Sequence, residues 1–423
     1  MTTISLTSHG GAFDADVTVP GDKSLSHRAL LFAAVAEGDS LVLGLGPGAD
    51  IASTASALRA LGVSIDGDKV RSPGISGWRS PNEPIDCGNS GTTMRLLAGA
   101  LSTSSVSAIL TGDKSLSSRP MNRLLAPLRA LGGSIDTTDG TAPLIVGGAE
   151  DVRAADVSID IASAQVRTAF EFAALAAPGP SSIESPPGFR DHTERWLSAV
   201  SRGEWLSDSR FVISPGPLPP ARFEVPGDPS SAAYLWACAA ISPGSSVTTR
   251  TVSLNPGRLG FLEILDAMGV GVEAVVTGAT GGDPVGDVTV RADQLRGTDI
   301  DGPLVAAALD ELPLVAVLGA YGEGVTRVRG ADELRAKESD RIDAVAAMIR
   351  ALNGGIETVA DGFDVVGTGL LTGGTVETFH DHRIAMSAAV AATRADGTVT
   401  INDAEVAGVS WPNFYGDLEA LWS

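Results

Sequence analysis

With 423 residues, 43% hydrophobic and 19% charged, the chain has the composition of two or three folded domains, not that of a disordered or fibrous protein. A formal net charge of −21 argues against nucleic acid and anionic membranes as partners, so any anionic ligand needs cations placed locally. Cys87 and Cys238 are too few and too far apart for a disulfide framework or a zinc site, and no stretch reads as a signal peptide or a membrane span, which makes the cytoplasm the expected compartment.

In chain order, residues 3–6 and 16–19 read as strands of a hairpin around Gly10-Gly11, with no helix before it. Six short turns follow, each ending a strand and opening a helix. They are Gly21-Asp22-Lys23-Ser24, Gly88-Asn89-Ser90-Gly91, Ser163-Ala164-Gln165, Gly227-Asp228-Pro229-Ser230, Leu309-Asp310-Glu311-Leu312 and His380-Asp381-His382-Arg383. A helix start exposes backbone N–H groups at the positive end of aligned peptide dipoles, and cations seeded there favour phosphate and carboxylate. The whole chain holds four lysines, two of which, Lys23 and Lys337, lie in the motifs taken next.

At the first turn Ser24 is the predicted N-cap, and Lys23 and Arg28 bracket the opening helical turn. The second brings two glycines for close approach, the hydroxyls of Thr92 and Thr93, and Arg95; it lacks the Gly-Lys-Ser/Thr of a nucleotide-binding P-loop. Arg119, before Pro120 at a predicted helix start, adds a cation to that level. Asp310-Glu311 interrupts the apolar stretch 304–318, which predicts a partly desolvated carboxyl suited to proton transfer, with Asp310 capping a helix that carries Pro313 in its first turn. In Arg335-Ala336-Lys337-Glu338-Ser339-Asp340-Arg341, Lys337 and Arg341 are four apart and are expected to share a helix face, with Glu338 one step round. His380 and His382 lack a third ligand at useful spacing, so no metal is expected, and Arg383 reads as an anion contact.

A repeat sets the architecture. Leu58-Arg59-Ala60-Leu61-Gly62-Val63-Ser64-Ile65-Asp66 returns as Leu128-Arg129-Ala130-Leu131-Gly132-Gly133-Ser134-Ile135-Asp136, with weaker copies at 265–270 and 349–354. Each reads as a helix end, a cap and a strand, and the spacing predicts further copies near Leu197 and Leu418. Six units result. Because the last one stops at its final helix, the N-terminal hairpin is expected to complete it, giving one domain from residues 1–20 plus 227–423 and another from 21–226. The expected fold is α/β (α+β), two domains of three repeated units each around an interdomain cleft, in an inside-out α/β barrel arrangement.

The motifs Gly-Asp-Lys-Ser-x-Ser-His-Arg at 21–28, Gly-Asn-Ser-Gly-Thr-Thr-x-Arg at 88–95 and Arg-x-Lys-Glu-Ser-Asp-Arg at 335–341, in this order, resemble the 5-enolpyruvylshikimate-3-phosphate synthase family. The resemblance implies transfer of an enolpyruvyl group from phosphoenolpyruvate to the 5-hydroxyl of shikimate 3-phosphate, with no metal or organic cofactor, by a monomer. It implies that Lys23, Ser24, Arg28, Ser163, Ala164, Gln165, Arg190, Asp310 and Lys337 bind shikimate 3-phosphate. Lys23, Gly91, Arg119, Gln165, Arg341 and Arg383 are the implied phosphoenolpyruvate contacts, and Asp310, Glu338 and Lys23 the catalytic groups.

Glycine at Gly91 matches glyphosate-sensitive relatives, which makes glyphosate an expected inhibitor. One departure stands out: Val409 occupies a position where many relatives carry lysine. The alternatives are the sister carboxyvinyltransferase acting on UDP-N-acetylglucosamine, whose acid is a loop cysteine, and a non-catalytic anion-binding protein on the same scaffold. Cys87 sits in a strand-like run, and acids among cations weaken pure anion binding, so both fit less well.

Overall fold

The six turns open six helices that form the buried layers of the protein: α1 (Lys23–Val35), α2 (Gly91–Ser102), α3 (Ala164–Ala174), α4 (Pro229–Ile241), α5 (Leu312–Tyr321) and α6 (His382–Ala392). In the computed structural model, which describes residues 2–423, the chain divides into two compact units. One comprises Met1–Pro20, Gly227–Gly278 and Pro284–Ser423; the other comprises Gly21–Pro226 and Ala279–Asp283. Sequence reasoning put all of 227–423 in one domain, whereas the hairpin tip 279–283 clusters with the 21–226 unit. There the buried Asp283 carboxylate meets His192 Nδ1 at 2.9 Å.

Each unit has its own hydrophobic core. Helices that are apolar on every side have to be buried, and all thirteen residues of α4 are, as is α5 from Leu312 to Ala320. Small residues let these helices approach closely: a Cβ on Gly99 of α2 would lie 2.4 Å from Ala169 Cα of α3. The six helix starts are capped locally in most cases. The side chains of Asp22, Ser90, Ser163, Asp228 and Asp381 each accept a backbone N–H of their own first turn. Asp22 is therefore the cap of α1 where Ser24 was expected, because Ser24 already lies inside the helix.

Six sheets accompany the helices, three in each unit, and among the described residues none closes into a barrel. Five have four strands and one has three. In each, the strand following the buried helix pairs in parallel with one neighbour and antiparallel with another, as Glu37–Leu43 does with Arg222–Glu224 and Lys69–Pro73. The repeated helix ends take the expected form. The N–H groups of Val63, Gly133, Arg202, Val270 and Gly354 reach back to the carbonyls of Leu58, Leu128, Leu197, Leu265 and Ile349, between 2.7 and 3.1 Å. The residue before four of these donors, Gly62, Gly132, Gly269 and Asn353, has positive φ, as does Ser201 before Arg202.

The N-terminal segment is not a hairpin. Ile4–Leu6 pairs antiparallel with Asp396–Asn402 and so completes the three-stranded sheet of the sixth repeat. Asp14–Val17 instead pairs in parallel with Ser246–Ser253 of the fourth repeat. The reason is topological: Arg222–Glu224, the strand that precedes α4 in sequence, is taken by Glu37–Leu43 of the other unit, leaving the fourth repeat a place for a parallel neighbour.

Candidate functional site

In the 21–226 unit the starts of α1, α2 and α3 are tied together by side-chain hydrogen bonds. Lys23 forms an ion pair with Asp50, whose backbone carbonyl accepts from Thr93 Oγ1 of α2 at 3.4 Å. His27 Nδ1 bonds Thr54 Oγ1 at 2.7 Å, and Thr54 meets Thr93 at 2.6 Å. Arg28 is 3% exposed and is fixed from three sides. Nε donates to Thr193 Oγ1 at 2.8 Å, Nη2 to Thr168 Oγ1 at 2.9 Å, and Nη1 to the Ser24 carbonyl at 3.0 Å. Burial lowers its pKa, and the carboxylates of Glu194, Glu171, Asp22 and Asp283 pull the other way.

Across the same unit, Arg95 Nη1 donates to Gln165 Oε1 at 2.7 Å, and Gln165 Nε2 donates to Thr92 Oγ1 at 2.9 Å. Arg119 follows the short helix Lys114–Ser117, not a helix start, and its Nη2 donates to Asn89 Oδ1 at 2.8 Å. A Cβ on Gly91 would stand 2.8 Å from Arg95 Nη1, so the missing side chain is what lets that guanidinium lie across the helix start. Ser163 caps α3, with Ala164 and Gln165 as its first residues. Arg190 lies in the segment between Glu184 and His192, next to Phe189, whose ring lies 4.1 Å from the buried Arg167 guanidinium.

In the other unit the organising group is Arg341, 1% exposed. Nε donates to Asp381 Oδ2 at 2.8 Å, Nη1 to Asp310 Oδ1 at 3.3 Å and Nη2 to Glu338 Oε2 at 2.6 Å. Burial opposes its charge, but Asp381, Glu338 and Asp310 outweigh that, and its pKa is raised. Lys337 Nζ stands 3.7 Å from Asp310 Oδ1. Lys337 precedes the helix Arg341–Ala351, so the two cations do not share a helix face as expected; they reach the same acid from a loop and a helix start.

Asp310 also differs from expectation. It sits in the 3₁₀ turn Leu309–Glu311, caps no helix, and faces Arg341 and Lys337 instead of an apolar wall, because its side chain turns out of the core that its sequence neighbours build. Arg383 opens α6, with Nη1 3.7 Å from Glu311 Oε1 and its guanidinium 6.0 Å from the Tyr234 ring. Burial opposes its charge too, and Tyr234, Asp310, Glu311 and Asp228 together raise its pKa well above the usual value. Sequence reasoning singled out the cations assigned to substrates and quoted Asn89 and Asp381 within motifs without giving them a role, but it missed Thr168 and Thr193, which hold Arg28. Asp381 had a signal, since it lies between two motif residues; the threonines had none.

Among the described residues no group of three or more His, Cys, Asp or Glu side chains could hold a metal, and no helix is long and apolar enough to cross a membrane. Burial pushes the Cys87 thiol up to about 12, with Asp86 adding to it, and the Cys238 thiol up to about 12, so neither is a ready acid or nucleophile.

Two buried imidazoles make stability depend on pH. Burial, assisted by Lys23, lowers His27 to about 3, and burial, assisted by Arg383, lowers His382 to about 3. The unfolded chain protonates them near 6.5, so as pH falls below 6.5 the unfolded state takes up protons that the native state refuses. Stability should therefore be lost on acidification, by roughly 2 kcal/mol per imidazole between about pH 6.5 and about pH 5. Urea unfolding of His27→Gln across that range should show a shallower slope than the parent; an equal slope would assign the loss elsewhere.

The EPSP synthase (3-phosphoshikimate 1-carboxyvinyltransferase) family pattern matches residues 8–418. A 3-phosphoshikimate 1-carboxyvinyltransferase from Herpetosiphon aurantiacus is 44% identical over 418 residues, spanning 96% of this chain and 97% of the relative. One from Chloroflexus aurantiacus is 45% identical over 414 residues, 95% of each chain. A solved structure of EPSP synthase from Acinetobacter baumannii has a TM-score of 0.88 at 38% identity, covering 99% of this chain and 97% of that one. A second from the same organism has a TM-score of 0.89 at 36% identity, covering 99% and 98%.

Proposed function

The chain belongs to the EPSP synthase (3-phosphoshikimate 1-carboxyvinyltransferase) family, and from that premise we propose that it transfers the enolpyruvyl group of phosphoenolpyruvate to the 5-hydroxyl of shikimate 3-phosphate. The products are 5-enolpyruvylshikimate 3-phosphate and inorganic phosphate. In this reading it acts in the cytoplasm as a monomer.

Lys23, Ser24, Arg28, Ser163, Ala164, Gln165 and Arg190 bind shikimate 3-phosphate, and Asp310 and Lys337 hold its ring hydroxyls. Lys23, Gly91, Arg119, Gln165, Arg341 and Arg383 bind phosphoenolpyruvate, with Arg95 holding Gln165 in place. The observation that carries the reading is Arg341, whose two terminal nitrogens hold Asp310 and Glu338 at 3.3 and 2.6 Å, placing two carboxylates beside a fixed cation.

Addition requires the 5-hydroxyl oxygen to bond C2 of phosphoenolpyruvate while C3 gains a proton. Asp310 takes the hydroxyl proton and Glu338 supplies the proton to C3, which becomes a methyl group. Elimination reverses the step at C3: Glu338 removes a methyl proton, the C2–O bond to phosphate breaks, and Lys23 stabilises the departing phosphate. The intermediate carries a carboxylate and two phosphates, a charge that fixed guanidinium and ammonium groups stabilise without reorganising. Glyphosate competes at the phosphoenolpyruvate position, where Gly91 leaves Arg95 unobstructed.

The test is phosphate release from phosphoenolpyruvate with either shikimate 3-phosphate or UDP-N-acetylglucosamine. Release with shikimate 3-phosphate alone is the expected result. Release with the nucleotide sugar alone would replace this reading by the sister activity, against which the buried, high-pKa Cys87 already weighs. Release with neither would leave an anion-binding protein.

A further inference from the structure

Glu311 follows Asp310 directly, yet the reaction above makes no use of it. Its carboxylate is 6% exposed and sits where three helix starts of one unit meet. Oε1 accepts a hydrogen bond from Ser230 Oγ at the start of α4 and lies 3.7 Å from Arg383 Nη1 at the start of α6. Ser230 is itself held: its Oγ accepts from Arg258 Nη2 at 2.9 Å, and its backbone N–H donates to Asp228 Oδ1 at 2.8 Å. Arg258 Nη2 also donates to Asp228 Oδ1 at 2.7 Å, which closes the ring of contacts. Arg258, Asp228 and Ser230 are all buried, so none of these groups has water as a ready substitute partner.

We infer that Glu311 is the positioning residue for Arg383. Asp228, Arg258 and Ser230 fix the carboxylate, and the carboxylate fixes the guanidinium. Arg383 has the complementary need. Its Nε is buried and makes no hydrogen bond, and Nη1 faces Glu311 at ion-pair distance without a tight hydrogen bond. Glu311 facing Nη1 and the Tyr234 side chain, which is hydrogen-bonded to Arg383, together set the orientation of the guanidinium, while Nε keeps a donor without a partner. Asp310 and Glu311 thus divide the work of one dipeptide: the first serves the reacting hydroxyl, the second the cation that receives phosphoenolpyruvate. The inference rests on the assignment of Arg383 as a phosphoenolpyruvate contact.

Steady-state kinetics with each substrate varied tests it in the full-length enzyme. Glu311→Gln keeps an acceptor for Ser230 but removes the charge facing Arg383. It should raise KM for phosphoenolpyruvate about tenfold while KM for shikimate 3-phosphate stays within about twofold. Ser230→Ala, which frees the carboxylate, should move the same constant in the same direction by a smaller factor. Arg383→Ala should raise KM for phosphoenolpyruvate further, and adding Glu311→Gln to it should then change nothing more.

Three outcomes overturn a claim. An unchanged KM in Glu311→Gln alongside a raised KM in Arg383→Ala sinks the role of Glu311 and leaves the substrate reading intact. Multiplying effects in the double variant show Glu311 acting independently of Arg383, and also sink it. An unchanged KM in Arg383→Ala removes the assignment of Arg383 itself.

Discussion

Replacing Arg341 with methionine is expected to lower the free energy of unfolding by about 3–5 kcal/mol and to raise KM for phosphoenolpyruvate beyond practical saturation. The side chain is 1% exposed and is the shared donor to Asp381, Asp310 and Glu338. Methionine fills much of the volume but takes the shared guanidinium from all three carboxylates, leaving Lys337 beside Asp310 alone. Asp381, fully buried, cannot turn to water, because it also caps α6 through the N–H of Arg383 at 2.9 Å. Breaking a buried pair by removing one partner is far more damaging than never having had it, since the remaining charge keeps its desolvation penalty. Urea midpoints of parent and variant measure the first effect, and isothermal titration with phosphoenolpyruvate the second. A midpoint equal to the parent's would show that Arg341 does not organise this end of the unit. Arg341→Lys should rescue little, because one ammonium cannot reproduce a fork with three differently placed partners.

Glu338→Gln and Asp310→Asn are expected to reduce kcat by roughly 10²–10⁴-fold with the chain still folded and both substrates still bound. Folding should survive because the two side chains keep 27% and 23% of their surface exposed and each replacement retains an acceptor for Arg341. The larger loss belongs to Glu338. A weakly basic carbon such as the methylene of phosphoenolpyruvate gains little from water as a proton source, whereas a hydroxyl that has lost its base can still pass its proton to water. Rapid-quench analysis separates them: Glu338→Gln should form no tetrahedral adduct in a single turnover, and Asp310→Asn should form it slowly. Turnover within about tenfold of the parent in either variant would refute the assigned role.

The features that could be read from the chain are those whose partners lie within a few residues. Asp22 bonds Leu25 N–H, Ser90 bonds Thr93 N–H, and the cap at Gly62 joins Leu58 to Val63. Such contacts repeat in the sequence because they repeat in the structure, so six helix starts and the recurring helix ends were visible without coordinates. Local reading went wrong by a residue or two where several candidates for one cap stood side by side, as with Asp22 and Ser24. It also failed where a strand had two possible sheets: nothing within residues 1–20 says that Ile4–Leu6 and Asp14–Val17 part company.

The site divides along the same line. Each cation was conspicuous because the chain is acidic and cations stood at helix starts, but its partners were not. Arg28 is held by Thr168 and Thr193, 140 and 165 residues away, and Arg119 by Asn89. Threonine is a common surface residue with no spacing rule to mark it, and Asn89, though inside a motif, carries nothing that names Arg119 as its partner. Asp310 and Glu311 are adjacent acids in one apolar stretch, and folding separates them by turning one toward Arg341 and the other toward Ser230 and Arg383.

From the residues alone came the repeat, the helix starts and the identity of the charged groups, since these depend on short-range hydrogen bonding and on where rare cations fall. Tertiary packing decided which carboxylate meets which guanidinium, which strand completes which sheet, and that the hairpin tip 279–283 belongs with the 21–226 unit. Most of those outcomes depend on contacts between segments that are not neighbours in sequence, whose energies appear when the helices have already packed and water has been excluded.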